Sequence, residues 1–365
     1  MRTRIAKITD IKKDAAAIEK AGALLRAGAL VAFPTETVYG LGANGLDAEA
    51  CAKIYEAKGR PSDNPLILHV ADRAMVDMAA ATVTEMAERV MAAFMPGPVT
   101  VILPKRGEVP AGVTGGLPTV GIRMPDNDIA RAMIRAAGVP IAAPSANLSG
   151  RPSPTTAAAV MADMAGRIPL VLDGGPCRFG VESTIVDCTG EEAVILRPGA
   201  VTREMLEEVL EVPVRFDAAL LGENETPRAP GMKYTHYAPR APLTLIAAPR
   251  EKGSPREERR RLVGAFREAV REAAARGTRP GVIVSRETAE ALSDLVPPTR
   301  VAVYGRAGDL SAMAAHLYES LRFFDDKEAD VLFAEAASVP RVPTSIASVV
   351  LAPVAAPPVR DAACV

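Results

Sequence analysis

Apolar residues along this chain fall mostly into short runs closed by proline, glycine or polar residues, and the runs alternate with stretches of helical period. ALVAF (29–33), LILHV (66–70), VTVIL (99–103), TVGIR (119–123), VPIAA (139–143), IPLVL (168–172), STIVD (183–187) and AVILR (193–197) have the length and branching of buried strands. Helical spacing predicts a helix over 14–27 with Gly28 as its stop. A second spans 47–58 with Asp47 as its cap, and Ala/Met-rich helices follow near 83–95, 127–137 and 155–165. The order predicts a mixed α/β domain over residues 1–210.

Residues 211–242 break the pattern. They hold five prolines and no sustained period, which reads as a linker, although one rich in tyrosine and histidine. From 243 onward LTLIAA, a charged helix over 255–276, GVIVS, a helix near 287–293, VAVYG, a helix over 309–323 and DVLFA alternate. Strand and helix in strict alternation predict a small Rossmann-like parallel sheet of the doubly wound type over 243–352. The tail 353–365, PVAAPPVRDAACV, is expected to lack fixed structure.

Length and composition fit this division, since 365 residues suffice for two domains of about 150 each. Hydrophobic residues make up 48% but aromatics only 4%, with no tryptophan, so the core rests on Ala, Val, Leu, Ile and Met. A net charge of −1 supplies no basic field for non-specific nucleic-acid binding. The four cysteines, Cys51, Cys177, Cys188 and Cys364, form neither a C-x-x-C pair nor a Cys/His ligand spacing, which speaks against a zinc site and a disulfide framework and fits a reducing cytosol. The N-terminus has charge but no apolar segment of signal-peptide length, and no stretch approaches 18 uninterrupted apolar residues. The sequon Asn147-Leu-Ser149 is therefore expected to be unmodified and to have another purpose.

Gly40, Gly42 and Gly45 spell G-x-G-x-x-G, the fingerprint of a dinucleotide loop. Its context fails here. The run ALVAF ends at Pro34, six residues separate it from Gly40, and the next helix starts only after Asp47, so no glycine sits at the exit of the strand. A flexible loop whose backbone comes close to something is the simpler reading.

Four polar clusters follow apolar strands, where α/β proteins tend to place ligands. In PTETVYG, Thr35, Glu36 and Thr37 could form a site or an ordinary turn. In AKGRPSDNPLILH, Lys58 and Arg60 either bind phosphate or offset a helix dipole, Pro61 and Pro65 stiffen the chain around Asn64, and His69 is a ligand contact or a satisfied core histidine. In TVGIRMPDN, Thr119 and Arg123 share one face of a strand, and a buried Arg123 needs an anionic partner, either a structural carboxylate or a substrate's. In APSANLSGRPSPT, Ser145, Asn147, Ser149 and Ser153 form either a plain Ser/Pro loop or a place where ribose or phosphate approaches the main chain. No P-loop, H-E-x-x-H or nucleophile elbow occurs. Basic groups and small hydroxyls without a nucleophile suit electrostatic catalysis on a phosphate ester.

Taken in order, PTETVYGLG, KGRPSDNPLILH, MPGPVTVIL, VGIRMPDN, SANLSGRPSPT, ESTIVD and ILRPGA resemble the YrdC-like threonylcarbamoyl-AMP synthase family over roughly residues 14–205. The string APGMKYTHYAPRAPL and the α/β segment after it resemble that family's long, two-domain form. The resemblance implies a twisted, largely open α/β sheet with a concave basic cleft, lined in part by Gly40, Gly42 and Gly45. It also implies an enzyme that joins L-threonine, bicarbonate or carbon dioxide, and ATP with its Mg²⁺ into threonylcarbamoyl-adenylate, pyrophosphate and water. A tRNA threonylcarbamoyl transferase machinery would receive the product for tRNAs that read ANN codons.

By motif, Lys58, Arg60, Asn64, Thr119, Ser145, Asn147, Ser153 and Arg197 resemble the ATP-side residues, Lys58 and Arg60 being the catalytic cations. Thr35, His69, Arg123, Ala143 and Ser183 resemble the threonine side, and Tyr234 would reach the nucleotide from the linker. The competing reading is a non-catalytic RNA-binding assembly factor using the same cleft, for which so few aromatic stacking platforms are poor support. The carbamoyl-transfer proteins of hydrogenase maturation add zinc-binding cysteine pairs that this chain lacks.

Overall fold

A computed structural model describes residues 1–221, 239–248 and 253–336. They belong to two compact units, taken here in turn. Tyr234, most of the predicted linker and the tail lie outside the described residues.

The first unit is built on one sheet of eleven strands. In chain order these are β1 (Arg4–Lys7), β2 (Val31–Phe33), β3 (Gly40–Asn44), β4 (Ile67–His69), β5 (Val99–Pro104), β6 (Thr119–Arg123), β7 (Ile141–Ala143), β8 (Leu170–Asp173), β9 (Thr184–Asp187), β10 (Val194–Arg197) and β11 (Arg215–Phe216). Across the sheet they run β1-β8-β2-β3-β7-β4-β6-β5-β9-β10-β11, with β1 and β11 as the two edges of an open sheet. Pairing is mixed: β1/β8, β2/β8, β4/β6, β5/β9 and β10/β11 are parallel, the other pairs antiparallel.

The helices form where the apolar period and the caps place them. Asp47 accepts from the backbone N–H of Glu49 and Ala50 to open Ala48–Lys58, and Thr84, Asn127 and Thr156 open Glu85–Phe94, Asp128–Ala137 and Ala157–Met164 in the same way. Gly59, in the left-handed region at φ 62°, ends Ala48–Lys58 and turns the chain toward Arg60.

Three differences from the sequence expectations stand out. The sheet continues through β11, past residue 210 into the segment read as linker. The N-terminal β1 has the exposed pattern of an edge strand and no run of apolar residues to announce it. Most informative is β3: Gly40, Gly42 and Gly45 belong to a buried strand and its exit, not to a flexible loop or the lining of a cleft. A Cβ at Gly40 would lie 2.8 Å from the Phe33 ring, one at Gly42 2.8 Å from Ile141 Cγ2, and one at Gly45 2.5 Å from Leu68 Cδ2 and 2.7 Å from the Pro140 carbonyl. The close approach that the glycines allow is by the protein's own core.

The second unit is a four-stranded, wholly parallel sheet in the order β12-β15-β13-β14, from Leu243–Ile246 (β12), Pro280–Ser285 (β13), Val301–Gly305 (β14) and Val331–Glu335 (β15). The first two crossovers, through Pro255–Ala275 and Arg286–Ala291, step one way along the sheet, and the third, through Leu310–Arg322, steps back. Right-handed crossovers then place Leu310–Arg322 on the opposite face from the other two helices, which is double winding. The side chains agree: Val282 and Val284 pack with Leu262, Phe266, Val270 and Leu292.

Replacing Gly45 by alanine is expected to lower the stability of the first unit by about 1–3 kcal/mol through overpacking, read as a lower urea midpoint. Gly107→Ala, where an added Cβ meets nothing within 4 Å, serves as the neutral control.

Candidate functional site

The loop between β2 and β3 carries Thr35, Glu36 and Thr37, all buried. The Thr35 hydroxyl donates to the Val38 carbonyl (2.6 Å) and accepts from the Thr37 and Val38 amides (3.1 and 3.2 Å), a turn stabilised by its own side chain. Neighbouring backbone clamps it from outside: the Phe179 amide donates to the Glu36 carbonyl (2.8 Å), Gly180 to Thr37 (3.1 Å) and Tyr39 to Pro154 (2.8 Å).

Into this loop β6 sends Arg123. Its Nη2 donates to the Thr37 hydroxyl at 2.9 Å and lies 2.8 Å from Glu36 Oε1. Both side chains are buried, 5% exposed for Arg123 and 1% for Glu36. The structural carboxylate that a buried arginine needs is therefore present. Arg123 Nε and both Glu36 oxygens nevertheless make no hydrogen bond among the described residues. His69 stands opposite Arg123 on β4. Its ring is edge-on to Phe33 at 5.8 Å, with Nδ1 3.1 Å from the Ile67 carbonyl. Burial, and next the positive charge of Arg123, push its pKa down to about 3. His69 is consequently a neutral contact, and far too weak a base to deprotonate an ammonium group.

The second group gathers where Ala48–Lys58 ends. The buried Lys58 ammonium donates to the Ser145 and Asn147 carbonyls, both at 2.5 Å, so it reaches into the loop after β7 and does more than face its own helix end. Ser145 Oγ donates to Asn147 Oδ1 (2.5 Å), and Asn147 Nδ2 donates to the Leu148 and Arg151 carbonyls (2.8 Å each). The sequon asparagine thus holds a buried loop together. Arg60 Nη2 donates to the Pro65 carbonyl at 3.0 Å, bracing its own proline-bounded loop. Asn64, 1% exposed, has neither amide atom hydrogen-bonded among the described residues. A buried amide without partners is costly.

A third group joins β5, β9 and β10. Ser183 shares a 2.8 Å hydrogen bond with Thr100, and Arg197 Nη2 donates to the Ser183 carbonyl (3.0 Å) and hydroxyl (3.3 Å). Gly199 lets the chain after Arg197 lie against residues 182–184, since a Cβ there would be 2.3 Å from the Thr184 nitrogen. Ser153 Oγ donates to Glu182 Oε1 at 2.7 Å. Ala143 is buried in β7 opposite Ile67.

Shared backbone connects most of these residues: Gly40 bridges Ser145, and Phe179 and Gly180, on the approach to Ser183, bind the Thr35–Thr37 loop. Thr119 is half-buried beside Pro65, Leu66 and Thr114 in a small cavity. Tyr234 lies outside the described residues. Sequence reading named Glu36 and Thr37 only as members of a possible site or turn and gave neither a specific role; it passed over Thr100 and Glu182, whose one available signal was a polar residue within or beside an otherwise apolar run.

Among the described residues no three His, Cys, Asp or Glu side chains converge as a metal site. The polar groups gathered here are cations, amides and hydroxyls, with Glu36 and Glu182 as carboxylates that face Arg123 and Ser153. Cys51, Cys177 and Cys188 are buried free thiols, and burial pushes Cys51 and Cys188 up to about 12, so neither is a nucleophile. No helix among the described residues is long and apolar enough to cross a membrane.

Comparison with known proteins bears directly on this arrangement. A family model described as telomere recombination, the Sua5–YciO–YrdC family, matches residues 23–199, and one described as the threonylcarbamoyl-AMP synthase C-terminal domain matches 201–347. The threonylcarbamoyl-AMP synthase of Bacillus subtilis is 48% identical over 319 residues, 87% of each chain. The chain belongs to the threonylcarbamoyl-AMP synthase family. The threonylcarbamoyl-AMP synthase of Pyrococcus abyssi is 43% identical over 87% of this chain and 88% of its own. The crystal structure of P. abyssi Sua5 complexed with L-threonine superposes with a TM-score of 0.83 at 39% identity, covering 97% of this chain and 96% of that one. Threonylcarbamoyl-AMP synthase membership thus extends over both units.

The neutral His69 has a consequence for stability. The folded ring resists protonation down to about pH 3, whereas in the unfolded chain it takes a proton near 6.5. Its contribution is complete above 6.5 and is lost as the pH falls toward 3, because the unfolded state then binds the additional proton. The urea midpoint should decline over that window, and His69→Gln should flatten the decline; an unaltered slope would show that another group is responsible.

Proposed function

We propose that this chain forms L-threonylcarbamoyl-adenylate from L-threonine, bicarbonate or carbon dioxide, and ATP, releasing pyrophosphate and, where bicarbonate supplies the carbon, water, and that a tRNA threonylcarbamoyl transferase machinery in the cytoplasm consumes the product. The observation that carries the proposal is the identity shared with threonylcarbamoyl-AMP synthases across both units. The buried polar groups supply a chemical rationale.

On the amino-acid side, Arg123 has the charge for the threonine carboxylate, with Thr35, His69, Ser183 and the backbone at Ala143 around it. Arg123 Nε is buried without a hydrogen-bond partner among the described residues, so a donor is left for such a ligand. On the nucleotide side, Lys58, Arg60 and Arg197 bring positive charge, and Asn64, Thr119, Ser145, Asn147 and Ser153 bring amide and hydroxyl groups. The neutral amine of threonine adds carbon dioxide, and the carboxylate so formed attacks the α-phosphorus in line while pyrophosphate leaves. No protein nucleophile is required, and the high pKa of the buried thiols accords with that. What the step requires is neutralisation of the negative charge gathered at the α-phosphorus, which fixed cations in a dry site do better than water. Mg²⁺ bound through the phosphates would add to that neutralisation.

Purified protein with Mg²⁺, bicarbonate and ATP should release pyrophosphate with L-threonine and not without an amino acid, with the carbamoyl-adenylate mass in the product. Absence of threonine-dependent release would reject the activity. Arg123→Ala should raise KM for threonine by roughly tenfold or more, about 1.4 kcal/mol, and leave KM for ATP nearly unchanged. Equal effects on both would remove Arg123 from the threonine side.

A further inference from the structure

The unexplained group on the threonine side is Glu36. A carboxylate with four lone-pair sites, 1% exposed and accepting no hydrogen bond among the described residues, is unusual in a protein interior. Its one strong interaction is with Arg123 Nη2 at 2.8 Å. That contact is a close ion pair without hydrogen-bond geometry, so the forked arrangement in which an arginine commits two hydrogen-bond donors to one carboxylate is not formed.

The consequence lies in what remains on the guanidinium. Nη2 is held by Glu36 and by the Thr37 hydroxyl, both on a loop whose backbone is fastened to residues 179 and 180. Nε makes no hydrogen bond among the described residues. One corner of the guanidinium is thus fixed by a rigid loop and an unused donor remains. Glu36 also removes the net charge of a cation that would otherwise be buried alone, at a cost of several kcal/mol.

We infer that Glu36 is a positioning residue that sets the orientation and the net charge of Arg123, so that the unused donors meet the α-carboxylate of the substrate and the site selects a zwitterion over a simple acid. The inference rests on Arg123 being the partner of the threonine carboxylate. Selectivity follows from charge: a second carboxylate entering beside Glu36 is repelled by it, and an α-ammonium on the same ligand offsets that repulsion. A lone arginine would bind both kinds of acid.

The test compares L-threonine with its amine-free analogue 2,3-dihydroxybutanoate, by calorimetry and in the pyrophosphate-release reaction. Wild-type protein should bind threonine at least about tenfold more tightly than the analogue; equal affinities would overturn the inference without any variant. Glu36→Gln should raise KM for threonine about tenfold and reduce the preference over the analogue, with KM for ATP within about twofold and kcat within about threefold of wild type. Glu36→Asp, which keeps the charge, should restore part of the preference, and it replaces the glutamine variant if that one does not fold. Equal losses for threonine, analogue and ATP would mean that Glu36 is only structural, and would overturn the inference. If wild type shows no threonine-dependent release, the proposed activity fails separately. Calorimetric binding of threonine and analogue to wild type and Glu36→Asp then decides the role of Glu36, and no difference between the ligands overturns it.

Discussion

The site depends on how closely β2, β3 and β7 pack. With no side chains at Gly40 and Gly42, β3 accepts the Phe33 ring and Ile141 directly against its backbone. The loops at its end are drawn together by main-chain bonds, Leu41 to Pro144 at 2.9 Å and Ala146 to Tyr39 at 2.8 Å. One loop carries Thr35, Glu36 and Thr37, and the other carries Ser145 and Asn147. A larger residue in β3 would separate the two groups before any catalytic side chain was altered.

Charge burial is the second organising constraint. Lys58 and Arg123 are both withdrawn from water, and each is stabilised in a different way: the ammonium by two backbone carbonyls, the guanidinium by a carboxylate and a hydroxyl. The carbonyl oxygens that hold Lys58 carry no net charge, whereas Glu36 offsets the charge of Arg123. Low polarity around both strengthens whatever ion does enter.

Much of this was legible in the residues. The eight apolar runs became strands at nearly their expected positions, Asp47 opened its helix as a cap, and Gly28 stands just past the end of the first helix as its expected stop. Arg123 was seen to need an anion, but the sequence could not show whether a protein carboxylate provides it, because Glu36 is 87 positions away and only the β6 to β2–β3 packing joins them. The strand β3 was hidden because glycine has no strand propensity of its own, and its fitness here comes from neighbours that lie far off in the chain. His69 posed the same problem: its neutrality is a property of burial next to Arg123, which no local pattern contains.

The edge of the large sheet also constrains how the chain is made. Among the described residues β1, at residues 4–7, pairs only with β8, Arg4 lying opposite Leu170, and β2 pairs with the same strand on its other side. On a ribosome that emits the chain from its N-terminus, β1 waits for β8 until more than 160 further residues have emerged. Contacts of such long range slow folding, and the waiting segment is an open template for other chains. The charged ends, Arg4 and Lys7, and the largely exposed character of this strand suit a segment that must remain solvated through that interval.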